Sequence, residues 1–76
     1  MKRQLAAFGA DDFMVSAEYF PEDKIEELKP LFTLEPDDPD MEYVYQVPDE
    51  LRDEVSRILG IELKPELNYN IEAVAD

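Results

Sequence analysis

The sequence predicts a single small α+β domain spanning residues 1–76. Its order is β-β-α-β-α-β, with a mostly antiparallel three- or four-stranded sheet and two helices on one face. Three observations carry that prediction. Two stretches of strand character, residues 4–8 and 13–20, flank a turn rich in Gly and Asp. A segment bracketed by Pro48 and Gly60 is punctuated as a helix at both ends. Residues 67–75 alternate in the manner of a strand with one wet face.

In chain order, Gln4-Leu-Ala-Ala-Phe8 opens as a short strand, and Gly9-Ala-Asp-Asp12 turns it. In residues 13–20, Phe13, Val15, Ala17 and Tyr19 share one side, and Met14, Ser16, Glu18 and Phe20 the other. The second side carries the polar groups, so the first is expected to meet the core. Pro21 closes the strand, and Glu22 and Asp23 open a helix at the positive end of its dipole. Ile25, Leu28 and Leu31 or Phe32 follow at helical spacing, but Pro30 must end or kink that helix. Residues 35–42 are a loop with two prolines, and Tyr43-Val-Tyr-Gln-Val47 is a short strand of β-formers. In the second helix Leu51, Val55, Ile58 and Leu59 form one apolar stripe. A linker over 61–66 leads to the last strand, where Leu67, Tyr69, Ile71, Ala73 and Ala75 face one way.

Charge dominates the composition. Twenty Asp and Glu stand against seven Lys and Arg, a formal net charge of -13. Such a field repels phosphate backbones and anionic head groups and draws in cationic surfaces. Direct binding to nucleic acid or membrane is therefore not expected; a basic protein partner is. Solubility or halophily accounts for the same count without any partner. Hydrophobic residues at 45% and aromatics at 11% set the chain apart from a disordered acidic segment. The opening Met1-Lys-Arg resembles the basic start of a secretion signal, but Asp11 and Asp12 interrupt before any apolar stretch forms. A cytoplasmic location is the expectation.

The residues for catalysis are missing. There is no Cys and no His, and Ser16 and Ser56 stand in no motif. Gly9 and Gly60 are the only glycines, too few for a phosphate-cradling loop. Among twenty carboxylates, proximity of any two has no diagnostic value for acid–base work. Asp38, Asp40 and Glu42 alternate like the start of a calcium loop, but the sixth position is Tyr43 where Gly is required. The sequence thus points to a protein that is not an enzyme and has no catalytic residue, metal or cofactor. The remaining constellation is acidic residues running into tyrosines: Asp37, Asp38, Asp40, Glu42, Tyr43 and Tyr45, followed by Asp49, Glu50 and Asp53 at the start of the second helix. Carboxylates pair with Arg and tyrosines supply contact area, so these nine residues are the candidate partner-binding set.

The run Ile25-Glu-Glu-Leu-Lys-Pro-Leu-Phe-Thr-Leu-Glu-Pro-Asp-Asp-Pro-Asp-Met41, the strand Tyr43-Val-Tyr-Gln-Val47 and the end Leu67-Asn-Tyr-Asn-Ile-Glu-Ala-Val-Ala-Asp76 resemble a family of small acidic bacterial proteins. These are immunity proteins encoded beside polymorphic and contact-dependent growth-inhibition toxins. The resemblance covers about residues 13–76 and rests on structural punctuation; Pro30 departs from the family pattern. It implies an inhibitor that neutralises a cognate toxin, with a nuclease as the expected kind because its cleft is basic. Two other functions suit the same acidity: a phage-type anti-defence protein that mimics nucleic acid, and a generic acidic interaction module or regulatory subunit.

Overall fold

The computed structural model describes residues 2–75; Met1 of the basic opening and Asp76 of the family-like ending lie outside them. One four-stranded sheet has the spatial order β2-β1-β4-β3, with every neighbouring pair antiparallel. The strands are β1 (Lys2–Phe8), β2 (Met14–Phe20), β3 (Tyr45–Gln46) and β4 (Asn68–Val74). The helices are α1 (Ile25–Leu28) and α2 (Arg52–Leu59). The chain order is the β-β-α-β-α-β of the sequence analysis. No helix among the described residues is long and apolar enough to cross a membrane.

The register decides which side chains meet. Leu5 lies opposite Ile71, which lies opposite Tyr45, and Ala7 lies opposite Tyr69, so these five share one face. All five are buried in a single cluster with Ile25 and Leu28 of α1 and Val55 and Ile58 of α2. Both helices therefore cover the same side of the sheet. The other side carries Gln4, Ala6, Glu72 and Asn70, with the Gln4 amide donating to Glu72 Oε1 at 2.8 Å.

Each helix is shorter than its apolar pattern, and short 3₁₀ turns extend it. Glu22–Lys24 leads into α1 and Lys29–Leu31 leads out of it. Pro30 sits in that exit turn, where its missing N–H costs little, and Phe32 is already extended at φ -114°. The proline thus ends the helix and does not kink it. Pro48 stands just before a 3₁₀ turn at Asp49–Leu51, and α2 starts only at Arg52. At the other end Gly60 takes the left-handed φ of 69° and donates its N–H to the Ser56 carbonyl at 2.8 Å. Arg57 turns to Glu54 in a two-pronged pair at 3.1 and 2.7 Å, and not to Asp53 at i,i+4 spacing.

The side expected to be buried in β2 is the exposed one. Phe13 is 73% exposed, Tyr19 64% and Val15 57%, and Ala17 is exposed too. Phe20, on the opposite side, is the residue that enters the core. The cause is position in the sheet. β2 is an edge strand, and the helical layer does not reach across it, so Ser16 and Glu18 are exposed on the helix side as well. With both sides wet, alternation no longer reports which side is buried.

Arg3 is the unexpected core residue, only 3% exposed. Its Nη1 donates to the Met41 carbonyl, its Nη2 to the Asp40 carbonyl at 3.0 Å and its Nε to Glu22 Oε1 at 2.9 Å. One guanidinium thereby joins β1 to the approach of α1 and to the loop before β3. Arg3→Leu leaves the buried Met41 carbonyl and the part-buried Asp40 carbonyl without this donor and is expected to cost about 2–3 kcal/mol, read as a lower urea midpoint with an unchanged slope. Arg3→Lys, which lacks the planar fork, should recover only part of the loss.

Candidate functional site: an acidic loop beside an edge groove

The segment from Glu35 to Tyr43 has no regular secondary structure, yet its backbone is closely specified. Two turns follow one another. Asp38 N–H donates to the Glu35 carbonyl at 2.9 Å, and Met41 N–H to the Asp38 carbonyl at 3.2 Å. Pro36 and Pro39 occupy the second position of each, where a fixed φ favours the turn. Asp38, first residue of the second turn, then reaches forward with its carboxylate. It accepts from the N–H of Glu42 at 2.7 Å, the N–H of Tyr43 at 3.0 Å and the hydroxyl of Tyr45 at 2.6 Å. Met41 is fully buried at a left-handed φ of 56°, a conformation that side chains other than Gly avoid. Arg3 on its carbonyl and the turn bond on its N–H hold it there.

Asp38 is thus a scaffold residue, 4% exposed, with both carboxylate oxygens engaged inside the chain. Tyr45 is likewise buried; besides donating to Asp38, its hydroxyl accepts the Glu35 N–H at 3.2 Å. Neither offers its polar atoms to a partner, which corrects the expectation for both. The reason is that the short Asp38 side chain, placed between Pro36 and Pro39, closes on the backbone of Glu42 and Tyr43 and receives the Tyr45 hydroxyl before it can reach outward. Asp37, Asp40, Glu42 and Tyr43 remain exposed. The Tyr43 hydroxyl donates to Asp37 Oδ2 at 2.8 Å, which leaves the rest of the ring open to solvent.

On one side of the loop lies an open groove of about 750 Å³. It follows the outer edge of β3. Leu31, Phe32, Val47 and Leu51 supply apolar walls, and Asp49 and Glu50 form part of its rim. Phe32 meets the Tyr45 ring edge-on, with centroids 6.2 Å apart. On the other side Asp40 and Glu42 join Glu22, Glu26, Lys29 and Arg3 around a smaller recess of about 220 Å³. The candidate residues therefore fall into three groups. Asp40 and Glu42 line the recess, Asp49 and Glu50 the groove, and Tyr43 with Asp37 stands exposed on the loop. Asp53 is exposed on the first turn of α2 and lines neither hollow.

Several of the cations are engaged within the chain. Arg52 donates to the carbonyls of Lys64 and Leu67, stacks over the Tyr69 ring at 5.5 Å and lies 3.3 Å from Asp49. Lys24, Lys29 and Arg57 each pair with a glutamate three residues away. Among the described acidic residues, all but Asp38 and Glu72 are exposed. The described residues hold no group of three or more carboxylates placed to take a metal ion. Sequence reasoning missed Arg3 and the groove walls. Arg3 sat in a basic opening that carried no core signal, and Leu31, Phe32 and Val47 read as ordinary packing residues beside prolines.

No family model, curated protein or solved structure matches the chain.

The Asp38 carboxyl is held below its ordinary value of 3.8. Burial acts to raise it, but donation by Tyr45, Glu42 and Tyr43 and the charge of Arg3 outweigh burial. A carboxylate with a lowered folded-state pKa stabilises the fold fully above 3.8, and that contribution is lost as pH falls through the folded value. The stability difference between wild type and Asp38→Asn should be constant near neutrality and shrink below pH 3.8, measured by thermal melts across the range. Burial and Asp38 raise the Tyr45 phenol above 10.0, and the hydrogen bond to Asp37 raises Tyr43. In an ultraviolet titration both ionise late, and Tyr45→Phe removes one of the two late steps.

Proposed function

We propose that the chain is a cytoplasmic, non-catalytic inhibitor of the immunity type, which neutralises a cognate toxin by occupying a basic surface of it. The observation that carries this reading is the pairing of exposed carboxylates with a groove of mixed polar and apolar lining along the β3 edge. Asp49 and Glu50 rim the groove, Asp37 is exposed on the braced loop, and Asp40 and Glu42 line the separate recess on its other side. A basic cleft built to hold phosphates would meet carboxylates in their place. Charge of this kind steers encounter and raises the on-rate. Tight capture needs a desolvated anchor as well, and the groove can receive an apolar or aromatic side chain flanked by Arg or Lys. The resemblance in residues 25–41, 43–47 and 67–76 supports the same role. In this reading Asp37, Asp40, Glu42, Tyr43, Asp49, Glu50 and Asp53 contact the partner, while Asp38 and Tyr45 hold the surface in shape.

A nucleic-acid mimic directed at a DNA-binding machine is the second reading, favoured by the excess of exposed carboxylates alone. The groove separates the two, because mimicry of a phosphate backbone has no need of it.

The product of a neighbouring toxin gene should co-purify with the chain, and co-expression should rescue cells from it. Charge reversal at Asp37, Asp40, Asp49 and Glu50 should slow association and flatten its salt dependence, whereas Leu51→Asp in the groove should mainly speed dissociation. Absence of both complex and rescue overturns the immunity reading. Undiminished affinity in Leu51→Asp shifts the balance to mimicry.

A further inference from the structure

The sheet has two edges, and the one away from the acidic loop has a different chemistry. β2 pairs with β1 on one side, while its other side is the open end of the sheet. Along Met14–Phe20 alternate residues thus present free backbone donors and acceptors. The stretch itself holds no proline and no lysine, and the Lys2 ammonium lies 5.2 Å over the Tyr19 ring. The one irregularity of the hairpin is a bulge at Val15, since Ala7 pairs with Ser16 and Phe8 with Met14, so the regular edge runs from Ser16 to Phe20. Phe13, Met14, Val15 and Tyr19 are exposed along the strand. Exposed apolar side chains grouped in this way mark a contact surface.

Charge decides the kind of partner. In a chain that is 36% charged, Phe13–Phe20 carries a single charge, Glu18. A cationic partner finds almost nothing to recognise here. A second copy of this chain, repelled by net charge -13 everywhere else, can approach along this line without bringing rows of carboxylates together. The edge is also compatible with itself. An antiparallel pairing about a twofold axis at Ala17, the middle residue of β2, sets Ser16 opposite Glu18 of the other copy and brings Tyr19 to the bulged Val15. The two Glu18 are then offset by two residues along the strands, ~7 Å, and both stay in water. Cross-strand aromatic and β-branched neighbours are a favourable pair in a sheet.

We propose that β2 is a self-association edge, through which two copies join their sheets into one continuous antiparallel sheet of eight strands. The acidic loop and the β3 groove lie at the outer ends of that sheet and stay free. The dimer forms without any other partner and does not depend on the inhibitory role.

Sedimentation velocity of the full chain over a range of concentrations tests this. The wild type should form a dimer that tightens as salt rises, because screening weakens the repulsion between copies. Binding of a basic partner would show the opposite salt trend. Val15→Lys alters an exposed side chain, so the monomer fold should survive, as checked by circular dichroism. It should weaken the dimer about tenfold or more, since each substitution acts twice across the axis. Charge reversal at Asp37 and Asp40 should leave the dimer intact or tighten it. Amide exchange should show protection of residues 14–20 that rises with concentration. A wild type that stays monomeric at every concentration and salt overturns the proposal. So does a dimer indifferent to Val15→Lys, or one broken by the loop reversals. Protection of β2 that appears only in complex with a basic protein would assign the edge to that protein and equally overturn self-pairing.

Discussion

The buried Arg3 guanidinium is the contact on which the acidic half of the molecule depends. It satisfies the carbonyls of Asp40 and Met41 and pairs with Glu22, so three segments distant in sequence converge on one side chain. A buried charge is costly unless its donors are all used, and here the planar fork meets acceptors on each nitrogen. Asp38 complements it from within the loop by capping the following amides and receiving the Tyr45 hydroxyl. The two side chains are of opposite charge and stand near enough for Arg3 to favour the ionised carboxylate. Together they give a defined shape to a segment with no helix or strand of its own.

That arrangement bears on how so acidic a chain stays folded. Mutual repulsion among exposed carboxylates opposes compaction. The chain meets it with a core shared by both helices and all four strands, and with arginines that act as internal braces. Arg52 does for the linker before β4 what Arg3 does for the loop before β3: it donates to backbone carbonyls, and it packs on an aromatic ring. Lys24, Lys29 and Arg57 form short-range pairs of modest worth. Positive charge is placed where it holds backbone, and negative charge is left where it meets solvent.

The two edges of the sheet consequently differ in kind. The β3 edge is flanked by carboxylates, prolines and a groove with aromatic and aliphatic walls. The β2 edge is nearly uncharged, and its large side chains stand in water. Strand order produces this separation, because it puts the two most dissimilar strands at opposite ends of the sheet.

Local signals were enough to read the element order, the turn at Gly9–Asp12, the stop at Gly60 and the buried stripe of α2. Each follows from backbone preference or from a spacing shared by neighbouring residues. The alternation in β4 was also legible, since a strand with one side against the helices and one side away has a real polarity. In β2 the same reasoning failed, because strand order left both of its sides outside the helical layer, and nothing in Phe13–Phe20 reports an edge position. The acidic loop was legible as a place but not as a structure. Composition marked carboxylates beside tyrosines, yet which of them face solvent depended on Arg3, some 35 residues earlier in the chain. The sequence by itself determined the elements, their order and the sign of the surface. Only tertiary structure decided that Asp38 and Tyr45 turn inward and that Tyr19 and Val15 turn outward. Burial depends on what lies across the fold, and those neighbours are remote in sequence.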